Sequence, residues 1–384
     1  MRSIHLLRAL IRGGAHVDIV TFGDQLDAPP PDIAAAGCRI VPVPRRKAYA
    51  VGDLLRGLMG PLPFSVHNYR DPAYALAVRG LAATTRYDLL LVEDIVMAQY
   101  LSGVEAARTV IDMHNVESHL LSRYADAVGY AARGWYARRT ARLLARYEGS
   151  LARRVDLVTV CSTDDAARLQ ALAPSSTVAV VPNGVDTQAL RPLPDALREP
   201  VILFVGTMDY HANVEAAAYL VEQVLPLVTA KRPEARVLIV GKNPTERVRR
   251  LASARVTVTG AVPDVTPYLA RAGVVVAPLL VGGGTRLKIL EAMATGRVVV
   301  STTVGCEGLG VTHGRQLWIA DTPAQLADAI DGLLGASEAR QTMEHEARAH
   351  VEAHYSWRAI GEAFVRQVGI PTASATAASL PAEA

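Results

Sequence analysis

Three consecutive glycines stand at a point where the chain changes character: Gly282, Gly283 and Gly284. The apolar run 274–280 before them is typical of a buried strand, and Thr285 opens a helix-forming stretch that runs to residue 294. Glycines let the backbone come close to a ligand, and the free N–H groups at a helix start favour an anion. The pattern therefore predicts a turn that binds phosphate.

Helical spacing makes Lys288 and Glu291 neighbours on one side of this helix. The cation could offset a phosphate charge, and the carboxylate could accept hydrogen bonds from the two hydroxyls of a ribose. The alternative is a solvated ion pair of little energetic value. The same spacing predicts one polar and one apolar side of the helix. The polar side holds Thr285, Lys288, Glu291 and Thr295, and the apolar side holds Leu287, Leu290, Met293 and Ala294.

The elements around this turn form an alternation of short apolar runs and helical stretches. The chain begins on a helix, 4–11, and a strand follows over 16–22. Further strands are predicted at 39–43, 87–92, 109–113, 156–161 and 178–181. From residue 200, six strands alternate with helices, which is typical of a doubly wound Rossmann-type domain. The fold class is therefore α/β, with parallel sheets covered on both faces.

Composition sets the bounds of the function. The 384 residues suit two domains, and VPNGVD, 181–186, is the natural hinge. A net charge of +3 and an aromatic content of 5% do not suggest a nucleic-acid binder. Cys38, Cys161 and Cys306 form no metal or disulfide pattern, so each is most simply a small core residue. Without a membrane-spanning run or a signal peptide, we expect a soluble cytoplasmic protein.

Motifs along nearly the whole chain are similar to those of a known family. They are HLLRAL, VIDMHNVES, VPNGVD, FVGTMDY, VPDVTPYL, GGGTRLKILEAMATG and STTVGCEGL. The chain resembles retaining glycosyltransferases of the GT-B fold, family four. The resemblance implies two Rossmann-like domains facing across a cleft, with an acceptor bound by 1–182 and a nucleotide-sugar donor bound by 183–355. It also implies that a C-terminal helix, 356–370, completes the first domain, and we expect the polar tail 371–384 to be disordered.

The resemblance assigns donor contacts to positions that match its motifs. Glu291 matches the glutamate that holds the donor ribose, and the backbone N–H groups of Arg286, Leu287 and Lys288 match those that bind the diphosphate. The loop from Gly260 to Val262 matches the grip on the base. Gly206 lies at a strand end where ligands of doubly wound sheets bind, as do Gly241 and Gly305. For the last two we favour simple turn geometry.

The resemblance also implies a metal-free mechanism in which cations stabilise the leaving phosphate. No Asp-x-Asp metal site is evident, because capping explains Asp164 and Asp165 at a helix start. Two departures matter. The first of the family's two glutamates falls on Gly283, and the loop GTMDYHAN, 206–213, lacks the usual Arg and Lys. We hypothesise that Arg286 and Lys288 carry the diphosphate charge instead, although Arg286 falls on the less polar side of the helix.

On the acceptor side, VIDMHN places His114 just past a strand end. The family has a histidine there that touches the transferred sugar or its phosphate; a lone histidine is otherwise more often structural. Glu93 and Glu117 are candidates for acceptor contact. The family uses no enzyme nucleophile. Since relatives place a strand and a glycine loop before HLLRAL, we expect the N-terminal sheet to lack its first strand.

The partners expected are a nucleotide sugar, which serves as substrate so that no cofactor is required, and a glycan or lipid-linked acceptor. The basic, aromatic segment 133–154 could rest on an anionic membrane at the inner face, or could be a solvated helix face with a packed seam. Two alternatives to a hexosyltransferase stay open. One is a GT-B sugar-nucleotide epimerase, and the other is a catalytically silent nucleotide-binding protein. No GxGxxG follows a strand, which argues against a nicotinamide oxidoreductase.

Overall fold

A computed structural model describes residues 2–23, 30–45, 56–57, 59–128, 132–281, 286–335 and 337–369. The predicted disordered tail, 371–384, lies outside the described residues. The chain divides into two compact units, the first formed by residues up to Pro182 with those from Gly361 onward, and the second by Asn183–Ile360.

The second unit contains a six-stranded parallel sheet in the order β12-β11-β10-β7-β8-β9. This is the doubly wound order, with two halves that start from adjacent central strands, as the sequence predicts. The strands are β7 (Val201–Val205), β8 (Arg236–Val240), β9 (Val256–Val258), β10 (Val274–Ala277), β11 (Val299–Ser301) and β12 (Trp318–Ile319).

Helices cover both faces of this sheet. They are α8 (His211–Tyr219), α9 (Leu225–Lys231), α10 (Glu246–Arg249), α11 (Thr266–Arg271), α12 (Leu287–Ala294), α13 (Pro323–Gly335) and α14 (Ser337–His354). Successive residues of β7 enter different hydrophobic clusters, because side chains alternate across a strand. Ile202 and Phe204 pack with α8, α9 and α13, whereas Val201 and Leu203 pack with α11, α12 and α14.

The helical stretch between β7 and β8 is interrupted. A π-helical turn, Leu220–Val224, separates α8 from α9. Pro226 lies in the first turn of α9. Since proline has no N–H and its ring crowds the carbonyl four residues earlier, the hydrogen-bond ladder cannot run through without a shift.

The first unit contains two parallel sheets. The elements preceding the second sheet are α1 (Arg2–Arg12), β1 (Asp18–Phe22), α2 (Pro31–Ala35), β2 (Arg39–Val43), α3 (Phe64–Asn68) and α4 (Pro72–Ala82). The remaining ones are β3 (Tyr87–Glu93), a 3₁₀ helix (Ile95–Tyr100), β4 (Ala106–Met113), α5 (Glu117–Val128), α6 (Ala132–Ala152), β5 (Leu157–Val160), α7 (Thr163–Leu172) and β6 (Val178–Val180). The last helix, α15 (Trp357–Val368), begins in the second unit and ends in the first.

The break between the two sheets lies between β1 and β3. One sheet is β1-β2 and the other is β3-β4-β5-β6, and within the described residues no backbone ladder joins them. A side-chain hydrogen bond does, because the Tyr87 hydroxyl lies 2.6 Å from Oδ2 of Asp18.

The three cysteines are free thiols, in accord with the absence of a disulfide pattern. Cys161 and Cys306 are buried, as expected of small core residues. Cys38 is only partly buried, so that expectation is wrong for it. It precedes β2, where the chain is entering the sheet from the surface.

Candidate functional site

The helix that carries Lys288 and Glu291 begins later than the sequence predicts. It spans Leu287–Ala294 with Arg286 as its N-cap, whereas the sequence places its start at Thr285. Gly282, Gly283, Gly284 and Thr285 lie outside the described residues. The first N–H groups of α12 belong to Leu287 and Lys288, and these groups have no acceptor within the helix itself. They follow the carboxyl end of β10, where doubly wound sheets bind ligands.

Lys288 is bonded to an amide. Its Nζ donates to Oδ1 of Asn213 at 2.6 Å and lies 4.7 Å from the centre of the Phe204 ring. Burial lowers the pKa of Lys288 to about 7, the charge of Arg286 lowers it as well, and Glu291 acts in the opposite direction. Among the described residues, Lys288 and Glu291 form no ion pair within 4.0 Å, so the alternative of a solvated pair does not describe this helix.

Glu291 lies one turn further along α12 and is partly buried. Burial raises the pKa of its carboxyl group, and the neighbouring Lys288 counteracts this effect. The two side chains therefore share one side of the helix start without neutralising each other by direct contact.

The predicted division of α12 into two sides is wrong at Leu287 and Thr295 and agrees with the structure at Arg286. Leu287 is 38% exposed, because it stands in the first turn, where the helix has only begun to pack. Thr295 is fully buried, since it follows the last helical residue and its hydroxyl donates to the carbonyls of Glu291 and Ala292. Arg286 is only 6% exposed and donates from Nη2 to the Val304 carbonyl at 2.9 Å, in accord with its place on the less polar side.

Two strand-end glycines bring backbone close to this site. A Cβ on Gly206 would lie 2.9 Å from Nζ of Lys288, and a Cβ on Gly241 would lie 1.6 Å from the Gly206 carbonyl oxygen. Because Gly241 has no Cβ, its backbone can pack closely against that of Gly206. A Cβ on Gly305 would lie 2.3 Å from Oγ of Ser301, so packing explains it too. Gly260 accepts a backbone bond from Gly241, and Val262 packs against the cluster that contains α12.

In the first unit, His114 follows β4 and belongs to a compact polar cluster. Its Nε2 lies 3.3 Å from Oε2 of Glu93, which also accepts a hydrogen bond from Ser3 at 2.8 Å. The His114 side chain is 42% exposed. The hydrogen bond to Glu93 raises the pKa of His114, although burial opposes the shift. Glu93 thus serves as a hydrogen-bond partner of His114. Its contact with an acceptor stays a prediction.

Asp112 completes this cluster but is already engaged. Ligand atoms of Glu93, Asp112 and His114 lie within 4.8 Å of one another, as divalent ions require. However, Asp112 accepts two hydrogen bonds of 2.7 Å from the Arg2 guanidinium and a third of 2.5 Å from Thr159. A buried guanidinium beside the cluster repels a cation. The donor set therefore does not fit a metal ion.

The acidic pair at the start of α7 is structural. Ser162 is the N-cap residue, its hydroxyl accepts from the Asp165 N–H at 3.1 Å, and it donates to the Asp165 carboxylate at 2.7 Å. Asp164 and Asp165 support the first turn and lie near Arg168. The N-cap residue is therefore Ser162, and the expectation that capping explains the two aspartates is wrong, because both stand inside the first turn.

Glu117 is the first residue of α5 and is partly buried. Burial raises the pKa of Glu117, and the carboxylates of Asp94 and Glu148 raise it further. Glu148 is fully buried and is held by the N–H and hydroxyl groups of Ser118. The acidic side chains here destabilise each other's charged forms, so the surroundings favour a protonated Glu117 relative to a free glutamate.

Family comparisons cover both units. The model of the glycosyltransferase family 4 matches residues 2–189, and the model of the glycosyl transferases group 1 matches residues 199–336. The chain belongs to a GT-B glycosyltransferase family.

Curated relatives match parts of the chain. A GDP-mannose-dependent monoacylated alpha-(1-6)-phosphatidylinositol monomannoside mannosyltransferase of Corynebacterium glutamicum is 29% identical over 54% of the chain and 60% of its own length. A phosphatidyl-myo-inositol mannosyltransferase of Mycolicibacterium smegmatis is 29% identical over 54% of the chain and 55% of its own length. An uncharacterised 44.6 kDa protein in the cps region of Klebsiella pneumoniae is 30% identical over 34% of the chain. The match thus spans 36% to 60% of the relatives' lengths.

Solved structures share the fold of the glycosyltransferase. Sucrose-phosphate synthase of Thermosynechococcus elongatus superimposes with a TM-score of 0.66 at 22% identity, covering 97% of this chain and 92% of that one. HepE of Anabaena, in complex with UDP and glucose, gives 0.61 at 15% identity, covering 98% and 96%. Identities this low establish the fold alone, which is α/β with two Rossmann-like units.

Sequence reasoning missed two contacts of the glycosyltransferase. The sequence does not identify Asn213 as a partner of Lys288, yet its amide oxygen accepts a hydrogen bond from Nζ of that lysine. Asp112 was read only as part of VIDMHN, although it stands two residues before His114 and period-two spacing directs such residues to one face of a strand. That spacing could have identified Asp112 as a neighbour of His114. The pattern of Asn213 contains no comparable signal.

Proposed function

We propose that this protein is a retaining, metal-independent hexosyltransferase that moves a hexosyl unit from a nucleotide-diphosphate sugar to a glycan or lipid-linked acceptor. The observation that carries the proposal is the pairing of Lys288 and Glu291 on one side of the start of α12, at the carboxyl edge of a doubly wound sheet. That edge supports nucleotide binding, and the pair provides a cation for phosphate and a carboxylate for ribose.

Stabilisation of the leaving group is the main catalytic demand. Breaking the bond between sugar and diphosphate builds negative charge on the phosphate oxygens, so preorganised donors lower the barrier. We assign this role to Lys288, to the first N–H groups of α12 and to the positive end of the helix dipole. Arg286 contributes its charge from a buried position, since its guanidinium donates to the Val304 carbonyl.

Glu291 is assigned to the donor ribose. Its carboxylate can accept from two neighbouring hydroxyls, and a charged acceptor strengthens such bonds. Gly260 and Val262 are assigned to the base and Gly206 to the diphosphate side. Gly282, Gly283, Gly284 and Thr285 are assigned to the phosphate turn. A relative uses GDP-mannose and a solved structure of the same fold contains UDP, so GDP-mannose and UDP-glucose are the donors to test first.

His114 is assigned to contact with the transferred sugar or its phosphate. The hydrogen bond to Glu93 favours its protonated form, which can donate to a phosphate oxygen. In a retaining reaction without an enzyme nucleophile, the acceptor attacks from the face that the phosphate leaves. Glu93 and Glu117 are proposed to contact the acceptor.

The donor assignment is tested by isothermal titration with GDP-mannose, UDP-glucose and the corresponding diphosphates, with Glu291→Gln and the exposed control Glu222→Gln. We expect one donor to bind in the presence of EDTA and Glu291→Gln to weaken it. Turnover with an acceptor, followed by NMR of the anomeric proton, tests retention. Epimerisation without an acceptor would favour the epimerase, and binding without turnover would favour the silent protein; the relatives support neither.

A membrane-facing acceptor side is the second part of the proposal. No helix in the described part of the chain is long and apolar enough to cross a membrane. Helices α5 and α6 expose Tyr124 and Trp135 beside arginines, as a surface helix on anionic lipid does. Two of the arginines are bonded within the protein, because Arg138 donates to the Ala125 carbonyl and Arg139 to that of Gly57.

Liposome flotation tests this surface. We expect the protein to float with vesicles that contain anionic phosphatidylglycerol and to stay behind with phosphatidylcholine alone. Trp135→Ala should reduce flotation, whereas Trp318→Ala, at an exposed tryptophan of the second unit, should not. Equal behaviour with both vesicle types would mean that α6 is a solvated helix.

A further inference from the structure

Lys288 is held by a neutral partner. Among the described residues, its hydrogen bond goes to Oδ1 of Asn213 at 2.6 Å, and no carboxylate lies within ion-pair distance. Lys231 provides the contrast, because its Nζ lies 2.6 Å from Oδ1 of Asp328 and this contact raises its pKa. An amide oxygen accepts from an ammonium and from a neutral amine, although the bond from the charged donor is the stronger one. Asn213 therefore fixes the position of Lys288 without supplying the counter-charge that a carboxylate would.

The orientation of the Asn213 amide is determined by its second bond. Its Nδ2 donates to the Thr207 carbonyl at 2.9 Å, and a carbonyl can only accept. A flipped amide would place two acceptors together on one side and two donors together on the other. The side chain is 93% buried at the start of α8, so it has little freedom to turn away. Oδ1 must therefore face Lys288.

Charged and aromatic groups reach Lys288 from each element around it. On its own helix, Arg286 disfavours a second positive charge and Glu291 favours one. From β7, the face of Phe204 favours a cation. Gly206, directly after β7, offers neutral backbone, and Asn213, on α8, offers a neutral amide. Among the described residues, no group supplies a full counter-charge to Lys288 at contact distance.

We propose that Asn213 is a positioning residue that presents Lys288 to the donor diphosphate, and that donor binding takes up one proton from solvent at Nζ of Lys288. This rests on the proposed function and deepens it. The proton is acquired when the two phosphates enter and returns to solvent when the nucleoside diphosphate leaves, so the reaction has no net proton from this step. Nζ of Lys288 therefore carries a positive charge while the donor is bound.

The lowered pKa of Lys288, about 7, sets the pH range in which this coupling is measurable. At pH 6 most free protein already carries the proton, so binding takes up little. At pH 8 most free protein lacks it, and a bound diphosphate that raises the pKa well above 8 makes uptake approach one proton. Sugar nucleotides are suitable probes, because their phosphates are diesters that stay ionised throughout this range.

The test is isothermal titration of the full chain with GDP-mannose and with UDP-glucose at pH 6 and pH 8. Buffers of different ionisation enthalpy give the number of protons taken up. We expect about one proton at pH 8 and about a tenth of one at pH 6. Lys288→Met should abolish uptake. Asn213→Asp should also abolish it, because a carboxylate keeps Lys288 charged before binding, and Asn213→Ala should weaken affinity about tenfold.

The matched control is Lys231→Met, which removes a paired surface lysine and should leave the proton count unchanged. Donor binding without uptake at pH 8, or uptake that persists in Lys288→Met, would overturn this proposal and leave the proposed function intact. Failure of the wild-type chain to bind either donor at both pH values would overturn the proposed function and this proposal together. The wild-type proton count needs no variant, so a variant that fails to fold does not remove the test.

Discussion

Nε2 of His114 and Oε2 of Glu93 lie 3.3 Å apart, and both side chains are partly exposed. Their partners reach deep into the unit, because Ser3 on α1 donates to Glu93 while Asp112, two residues before His114, is buried against Arg2. His114 and Glu93 are partly exposed, whereas the ion pair of Arg2 and Asp112 beneath them is buried. The exposed pair can therefore change its protonation without disturbing the core. This arrangement suits a residue that meets substrate.

Glu93→Gln should lower the pKa of His114, because the hydrogen bond to Glu93 is the main cause of its rise. NMR titration of the His114 ring protons measures the shift. A raised histidine pKa contributes stability that is fully present below about pH 6.5 and is lost as pH rises through the folded-state value. Because the pair is partly exposed, the stability change should be small. Glu105→Gln, at an exposed site before β4, should leave the titration unchanged.

Asp112→Asn should destabilise the first unit strongly. It leaves the Arg2 guanidinium buried without its counter-charge, and breaking a buried pair in this way costs about 3–5 kcal/mol. Urea denaturation followed by circular dichroism measures the free energy of unfolding. The control is Asp32→Asn, which removes the exposed partner of Arg8 and should destabilise the protein much less, because water screens exposed ion pairs. Equal effects at both positions would mean that the buried pair contributes no more than a surface one.

The fold was largely readable from the sequence because it is encoded locally. Strand β2 covers the predicted residues, and the six strands of the second unit all fall on predicted apolar runs. Such apolar runs are continuous when both faces of a parallel sheet are covered. Each strand can therefore be predicted from its own residues, without knowing which strands lie beside it. The π-helical turn was missed, since the effect of Pro226 depends on ladder geometry that apolar spacing does not record.

The contacts of the candidate site were less accessible to sequence reasoning. Lys288 and Asn213 are 75 residues apart, and Arg2 and Asp112 are 110 apart. No local period links such pairs. The exposure of Leu287 and the burial of Thr295 differ from the prediction, because the prediction treats the whole stretch as the middle of an ideal helix. Leu287 is instead the first helical residue, and Thr295 follows the last one. Helix ends depend on the packing of the flanking loop more than on spacing.

Glu291→Gln should weaken binding of ribonucleoside diphosphates by about tenfold to a hundredfold, as expected for loss of hydrogen bonds to a charged acceptor. The same substitution should have much less effect on ligands that lack the ribose 2′- and 3′-hydroxyls. Affinities of the wild type and variant for the normal and dideoxy diphosphates form a double cycle. If the two losses simply added, Glu291 would not contact the ribose.

Lys288→Met should stabilise the second unit while weakening donor binding. A lysine whose folded pKa is lowered to about 7 from its ordinary 10.5 destabilises the fold fully below pH 7. The destabilisation declines as pH rises toward 10.5, since the unfolded chain binds the extra proton between these values. The melting temperature of Lys288→Met should therefore exceed that of the wild type at pH 6–7, by about 2–4 °C for each kcal/mol gained. The difference should close near pH 10, whereas Lys231→Met, at a lysine with a raised pKa, should show no such gain at pH 6–7. A melting temperature of Lys288→Met that follows the wild type at every pH would mean that Lys288 is charged and well solvated in the folded protein.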